Sequence, residues 1–124
     1  MAKQEYTFTK EVLADGFRAL GLAAGDTVMM HSNASSVGPA RQMVKAPDTG
    51  MAWVLEALME VLGPEGTLLV PTFTSTFKEN CGPSGLVWNP KETPSRVGSL
   101  TNYVWKKPGA FRSDHPTHSV AAIG

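Results

Sequence analysis

Cysteine is almost missing from this sequence: one occurs in 124 residues, at Cys81. That excludes an internal disulfide and any cysteine-based zinc cluster, and it fits a reducing compartment, with the cytoplasm as the default. Net charge is missing too. Lys+Arg and Asp+Glu each number 11, which argues against a nucleic-acid binder working through a broad basic face and points to a small-molecule partner. No run approaches the ~20 apolar residues of a membrane span, and Met1-Ala2-Lys3-Gln4-Glu5-Tyr6 has no apolar core for a signal peptide. Neither a Walker-type loop nor a GxGxxG fingerprint is present, so a standard nucleotide fold has no support. Internal repeats and low-complexity segments are absent as well.

What is present is a globular composition, 42% hydrophobic and 18% charged, with 12 Gly and 9 Pro, enough for one turn-rich domain with a core of its own. The organising stretch is Thr27 to Gly38. Val28, Met29 and Met30 form an apolar run too short for a helix, which reads as a strand buried on both faces of a parallel sheet. The run passes directly into His31-Ser32-Asn33-Ala34-Ser35-Ser36, whose short polar side chains and backbone N–H groups could hold a carbonyl, an amide or a phosphate. An ordinary Ser/Asn-rich connection with satisfied turns is the alternative.

Upstream, Thr9 reads as the N-cap of a helix with Leu13, Phe17 and Leu20 on one face, Val12 flanking it and Gly21 ending it. Residues 39–47 have neither helical nor strand period and read as a loop. Asp48 or Thr49 then caps a second helix, whose stripe of Met51, Val54, Leu55, Leu58 and Leu62 runs to Gly63-Pro64. Thr67-Leu68-Leu69-Val70 is a second strand, so strand, crossover helix and strand predict a right-handed βαβ unit. Pro71-Thr72-Phe73-Thr74-Ser75-Thr76 follows it to the same sheet edge, where ligands of open α/β sheets sit. Residues 77–92 are Gly/Pro-rich and long for a mere connection. A third helix is expected from Thr93 as N-cap and Pro94 at the first position, carried by Val97, Leu100 and Val104, with Lys106 and Lys107 in its last turn. Pro108-Gly109 ends it. Phe111-Arg112-Ser113 and Ser119 to Ile123 read as strand pieces around the polar turn Asp114-His115-Pro116-Thr117-His118. An apolar run ending at Ile123-Gly124 raises the expectation that further strands or helices continue in a longer protein.

Several side chains could carry chemistry. His31, at a strand end, is either a base or ligand-binding group, or a histidine that shapes its loop. His115 and His118 have His-x-x-His spacing beside Asp114, but Pro116 lies between them and no third ligand is evident, so a turn or a substrate contact is favoured over a metal. Cys81 with the three histidines invites a thiol acyltransferase reading, yet nothing marks that thiol as activated. Arg96 at a helix start suits an anion such as phosphate, or else a surface pair with Glu92. Trp53, Trp88 and Trp105 read as core or loop anchors rather than stacking platforms.

Taken in order, four blocks resemble the antibiotic acetyltransferases that modify the 3-amino group of aminoglycosides. They are His31 to Gly38, Leu58 to Thr74, Glu92 to Gly98, and Arg112 to Gly124. The resemblance implies an α/β fold, a parallel or mixed sheet with flanking helices, distinct from the GNAT acetyltransferases. It also implies acetyl transfer from acetyl-CoA to an amine; no metal is expected, for want of a third ligand beside the histidines. Carried onto this sequence, it points to His31, Ser32, Ser35 and Ser36 for the donor's pantetheine and phosphates, with Thr72, Phe73, Ser95 and Arg96 beside them. His115 and His118 are the candidates for acceptor contact. Where the family usually carries a second serine and a larger apolar residue, this chain has Asn33 and Ala34. The resemblance places the family's general-base histidine beyond residue 124, so residues 1–124 are expected to be a single domain or the acetyl-CoA-binding N-terminal portion of a longer enzyme. The alternatives are a non-catalytic module binding CoA or another phosphorylated ligand, and a half-enzyme that pairs with a second chain or with itself.

Overall fold

The computed structural model describes residues 8–33, 47–74 and 88–124. The chain opens with helix α1, Lys10–Ala19, capped by Thr9, whose hydroxyl accepts from Val12 N at 3.2 Å. This satisfies one of the N–H groups a helix start leaves without a partner. The expected face is present in part, Leu13 and Phe17 packing against the core while Val12 and Leu20 do not. Ala14 is fully buried with Leu13 and Phe17 beside it, whereas Val12 is 60% and Leu20 79% exposed. Leu20 falls just past the last helical residue, and Leu22 packs inward in its stead.

Strand β1, Thr27–Met29, is followed after an interval by helix α2, Pro47–Leu62. That helix begins earlier than expected, so Asp48 and Thr49 lie in its first turn rather than at its cap. Proline suits a helix's opening turn because the N–H it lacks would have no partner there. Met51, Val54, Leu55, Leu58 and Leu62 are all buried, as their spacing predicts, and Ala57 and Val61 are buried against α1. Gly66 makes the tight return from α2: a Cβ there would stand 2.5 Å from the carbonyl oxygen of Leu62, so no larger residue fits.

Strand β2, Thr67–Pro71, pairs parallel with β1, aligning Val28 with Leu68. The expected strand, helix and parallel strand are therefore present. Helix α3 spans Ser99–Trp105, strand β3 Phe111–Arg112 and strand β4 Val120–Ile123. β4 runs antiparallel between β2 and β3, giving a mixed four-stranded sheet in the order β1-β2-β4-β3. Leu68, Val70 and Ala121 of the central strands are fully buried against Leu58, Leu62, Leu100 and Val104. Among the described residues β1 is an edge strand, and Val28 packs on the core while Thr27 and Met29 are exposed, which corrects the expectation of a strand buried on both faces.

The third helix also differs. It begins at Ser99 behind Gly98, not after Thr93. The Ser95 hydroxyl accepts from Val97 N at 3.2 Å, and the Asn102 amide bonds the Ser95 N–H and C=O at 2.8 and 3.0 Å. These side chains take the backbone groups that an extra helical turn would need. Among the described residues, no helix is long and apolar enough to cross a membrane.

Candidate functional site at the strand ends

The carboxyl ends of β1 and β2 emerge side by side, Met30 N donating to Leu69 O at 2.8 Å. Past β1, His31 is exposed and Ser32 half-buried. The Ser32 hydroxyl is shielded from solvent and makes no hydrogen bond, alone in this among the described side-chain atoms. An unpartnered buried hydroxyl costs about 1–3 kcal/mol, so its place at a strand end makes it a candidate ligand contact. Gly98 lies against it: a Cβ at that residue, whose φ is +126°, would stand 3.3 Å from the Ser32 carbonyl oxygen. Glycine thus serves twice here, for its backbone conformation and for close approach. Ser35, Ser36 and Cys81 lie outside the described residues.

Past β2, the ladder with the β4 side continues beyond the strand, Thr72 N donating to Ser119 O and Thr74 N to Thr117 O, both at 2.9 Å. The Thr72 and Ser119 hydroxyls, both fully buried, are 2.8 Å apart. Phe73 projects between these rungs with its ring 5.1 Å from that of His118, tilted by 52°. The neighbouring histidine has a different task. His115 Nδ1 accepts from the backbone N–H groups of Thr117 and His118 at 3.2 and 2.9 Å, so the ring's proton sits on Nε2 and the side chain shapes the turn that presents His118. Among the described residues, no group of three or more metal-ligating side chains is assembled.

Ser95 and Arg96 reach this edge by a route other than the one expected. Ser95 is buried, its hydroxyl accepting from Thr101 Oγ1 at 2.9 Å as well as from Val97 N. The backbone N–H of Arg96 donates to Phe73 O at 2.9 Å. The expected helix start is thereby corrected: Arg96 precedes a seven-residue helix, and its N–H fastens this turn to the segment just past β2.

Arg112 is the residue that spacing did not single out. Its guanidinium lies between the indoles of Trp88 and Trp105, 4.8 and 4.6 Å from the ring centres. Nε donates to the Thr72 and Ser119 hydroxyls, each at 3.2 Å, Nη2 to Thr72 O at 3.1 Å, and Nη1 to the carbonyls of Pro90 and Thr93. Desolvation lowers its pKa from the ordinary arginine value. The stacking also revises the reading of Trp88 and Trp105 as simple anchors, since both flank a cation. An arginine in a short strand, with two tryptophans elsewhere in the chain, was the one available signal. Nothing in one sequence joins residues 88, 105 and 112.

A cleft of about 750 Å3 opens beside β3, lined among others by Glu92, Trp105, Lys106, Phe111 and Arg112. Lys106 Nζ lies 5.5 Å from the Trp105 ring, and the guanidinium is turned toward Thr72. Convergent polar groups are found instead at the strand ends, which makes those ends the stronger site.

A sequence model of the aminoglycoside 3-N-acetyltransferase family matches residues 29–124. The chain is similar to aminoglycoside N(3)-acetyltransferase VII of Streptomyces paromomycinus, 35% identical over 94% of this chain and 43% of that protein. Its fold is similar to that of AAC-IIIb in binary complex with CoASH, at TM-score 0.75 and 30% identity over 96% of this chain and 47% of the other. AAC-VIa bound to sisomicin aligns at TM-score 0.78 and 28% identity, over 96% and 47% of the two chains. The chain thus spans less than half the length of the curated relatives named here.

Proposed function

This chain belongs to the aminoglycoside 3-N-acetyltransferase family, and we propose that it forms the acetyl-CoA-binding portion of an enzyme that acetylates the 3-amino group of aminoglycosides, conferring resistance to them. The observation that carries this reading is the buried, unpartnered Ser32 hydroxyl at the end of β1, beside a glycine that lets the backbones approach closely. The residues present fit the donor. A pantetheine arm is rich in amides, and Ser32 Oγ supplies the hydrogen-bonding group that such an arm lacks once desolvated. His31 and Phe73 border the same edge, with Ser35 and Ser36 following in sequence, and His118 stands beside Phe73 on the side assigned to the acceptor. Ser95 and Arg96 support this edge through the turn they build. Acetyl-CoA supplies the activated acyl group: the amine nitrogen bonds to the thioester carbonyl carbon, the C–S bond breaks, and a base takes the amine's proton. His115, committed to its turn, is not assigned that base role. A cytoplasmic setting accords with the single cysteine.

Calorimetric titration of CoA into the folded chain tests the reading. Saturable binding that weakens about tenfold or more in Ser32→Ala is expected, a loss of about 1.4 kcal/mol. Absence of binding by a folded chain would sink it.

A second reading is favoured by the exposure of Met29 on β1. In it, the chain binds the donor and a second polypeptide completes the enzyme. Release of CoA thiol in the presence of an aminoglycoside would then appear only on mixing with a polypeptide matching the remaining length of the curated relatives. Turnover by the chain alone would exclude it.

A further inference from the structure

Arg112 joins four parts of the chain at one point. It sits on β3, reaches the end of β2 through Thr72, the start of β4 through Ser119, and the turn at residues 90–93 through two carbonyls. Among the described residues no carboxylate pairs with it; its partners are hydroxyls, carbonyl dipoles and two indole faces. A planar fork suits such an arrangement, because its donors are fixed in direction and its faces stack. Both indoles are in turn held by their own N–H groups, Trp88 on Asp114 at 2.7 Å and Trp105 on Asn102 at 2.8 Å.

The residues Arg112 ties together are the immediate neighbours of the site. Thr72 precedes Phe73 and Ser119 follows His118, so one Nε–H bonded to both hydroxyls adds a brace to the direct Thr72–Ser119 bonds beside the Phe73 and His118 rings. On its other side, Trp105 bonds Asn102, and Asn102 bonds Ser95 in the turn that leads to Gly98 and the Ser32 carbonyl. We infer that Arg112 is a positioning residue for the donor site, fixing the Phe73 and His118 wall and, through Trp105 and Asn102, the approach of Gly98 to Ser32. This rests on the reading of the strand ends as that site. It assigns Arg112 no contact with the donor.

The test pairs amide hydrogen exchange with CoA titration on the chain, comparing wild type, Arg112→Lys, Ser119→Ala and Leu58→Ala. Lysine keeps the charge and loses the fork and the stacked plane. In Arg112→Lys, exchange at the amides of Thr72, Thr74 and Arg96 should quicken about tenfold or more while amides of α2 keep their rates, and the Kd for CoA should rise about tenfold. Ser119→Ala, which leaves the arginine in place, should move the same amides by less and remains informative should the lysine variant not fold. Leu58→Ala, a core change, should quicken exchange broadly and leave the Kd unaltered. Unchanged local exchange in both node variants, or a uniform rise like that of Leu58→Ala, overturns the inference; so does wild-type CoA affinity in Arg112→Lys. Failure of the wild-type chain to bind CoA overturns the donor-site reading instead, and the exchange pattern then decides whether Arg112 organises this edge.

Discussion

Two regions of this molecule are held together by different physics. Between α1, α2 and the sheet lies an apolar core built mainly of Leu, Val, Met and Ala, where Leu58, Leu62, Leu68 and Val70 are almost wholly withdrawn from the surface. At the strand ends, the buried groups are polar: Thr72, Ser119, Ser95 and Thr101, with Arg112 between two indoles. Burial in the first region is nondirectional and spread over many contacts, so it tolerates small shifts. Hydrogen bonds in the second are directional and leave a costly orphan when one partner goes, so the geometry there is over-determined except at Ser32. The difference implies that stability can be altered through the core without moving the site. A core change should move stability and leave the site's shape, whereas a node change should disturb the site as well as stability.

Leu58→Ala should give the largest loss of stability, about 2–5 kcal/mol by urea unfolding, because a cavity replaces a side chain with 2% exposure. A smaller loss together with weakened CoA affinity would break the separation. Thr72→Val removes a buried hydroxyl bonded to Ser119 and Arg112. It should cost about 1–3 kcal/mol and weaken CoA binding as well, since the isosteric valine strands those partners. Full CoA affinity in this variant would show that the node only stabilises. Thr9→Ala removes the N-cap of α1, far from the strand ends; thermal unfolding should register about 1 kcal/mol, with no change in CoA affinity. Smallest of all is Lys10→Met, which removes an exposed 3.8 Å pair with Glu60. It should change stability by no more than about 0.5 kcal/mol, and less at high salt.

The same division governs how much of the molecule could be read in advance. The α2 stripe, the parallel pairing of β1 with β2 and the strand pieces at residues 111–113 and 119–123 follow from periodicities of 3.6 and 2, which are local properties of a chain. The start of α3 was misjudged because Thr93-Pro94 carries a helix-start pattern, whereas Asn102, seven residues past Ser95, captures the backbone groups there. On α1, Leu20 had the right spacing and fell beyond the last turn. At the candidate site, His31, Ser32, Thr72 and Phe73 were legible from polarity switching on at strand ends. The part played by Arg112 was not, because its partners lie up to 40 residues away.

By itself, then, the sequence determined the alternation of helix and strand, the apolar faces that build the core, and the four ordered blocks by which the family is recognised. Each depends on residue type and short-range spacing. Only the tertiary structure decided that β1 lies at an edge, that Ser95 and the Arg96 backbone support the site from a turn, and that one arginine ties four segments together. Those outcomes depend on which distant segments meet, and the energy of a directional bond exists only once both partners are in place.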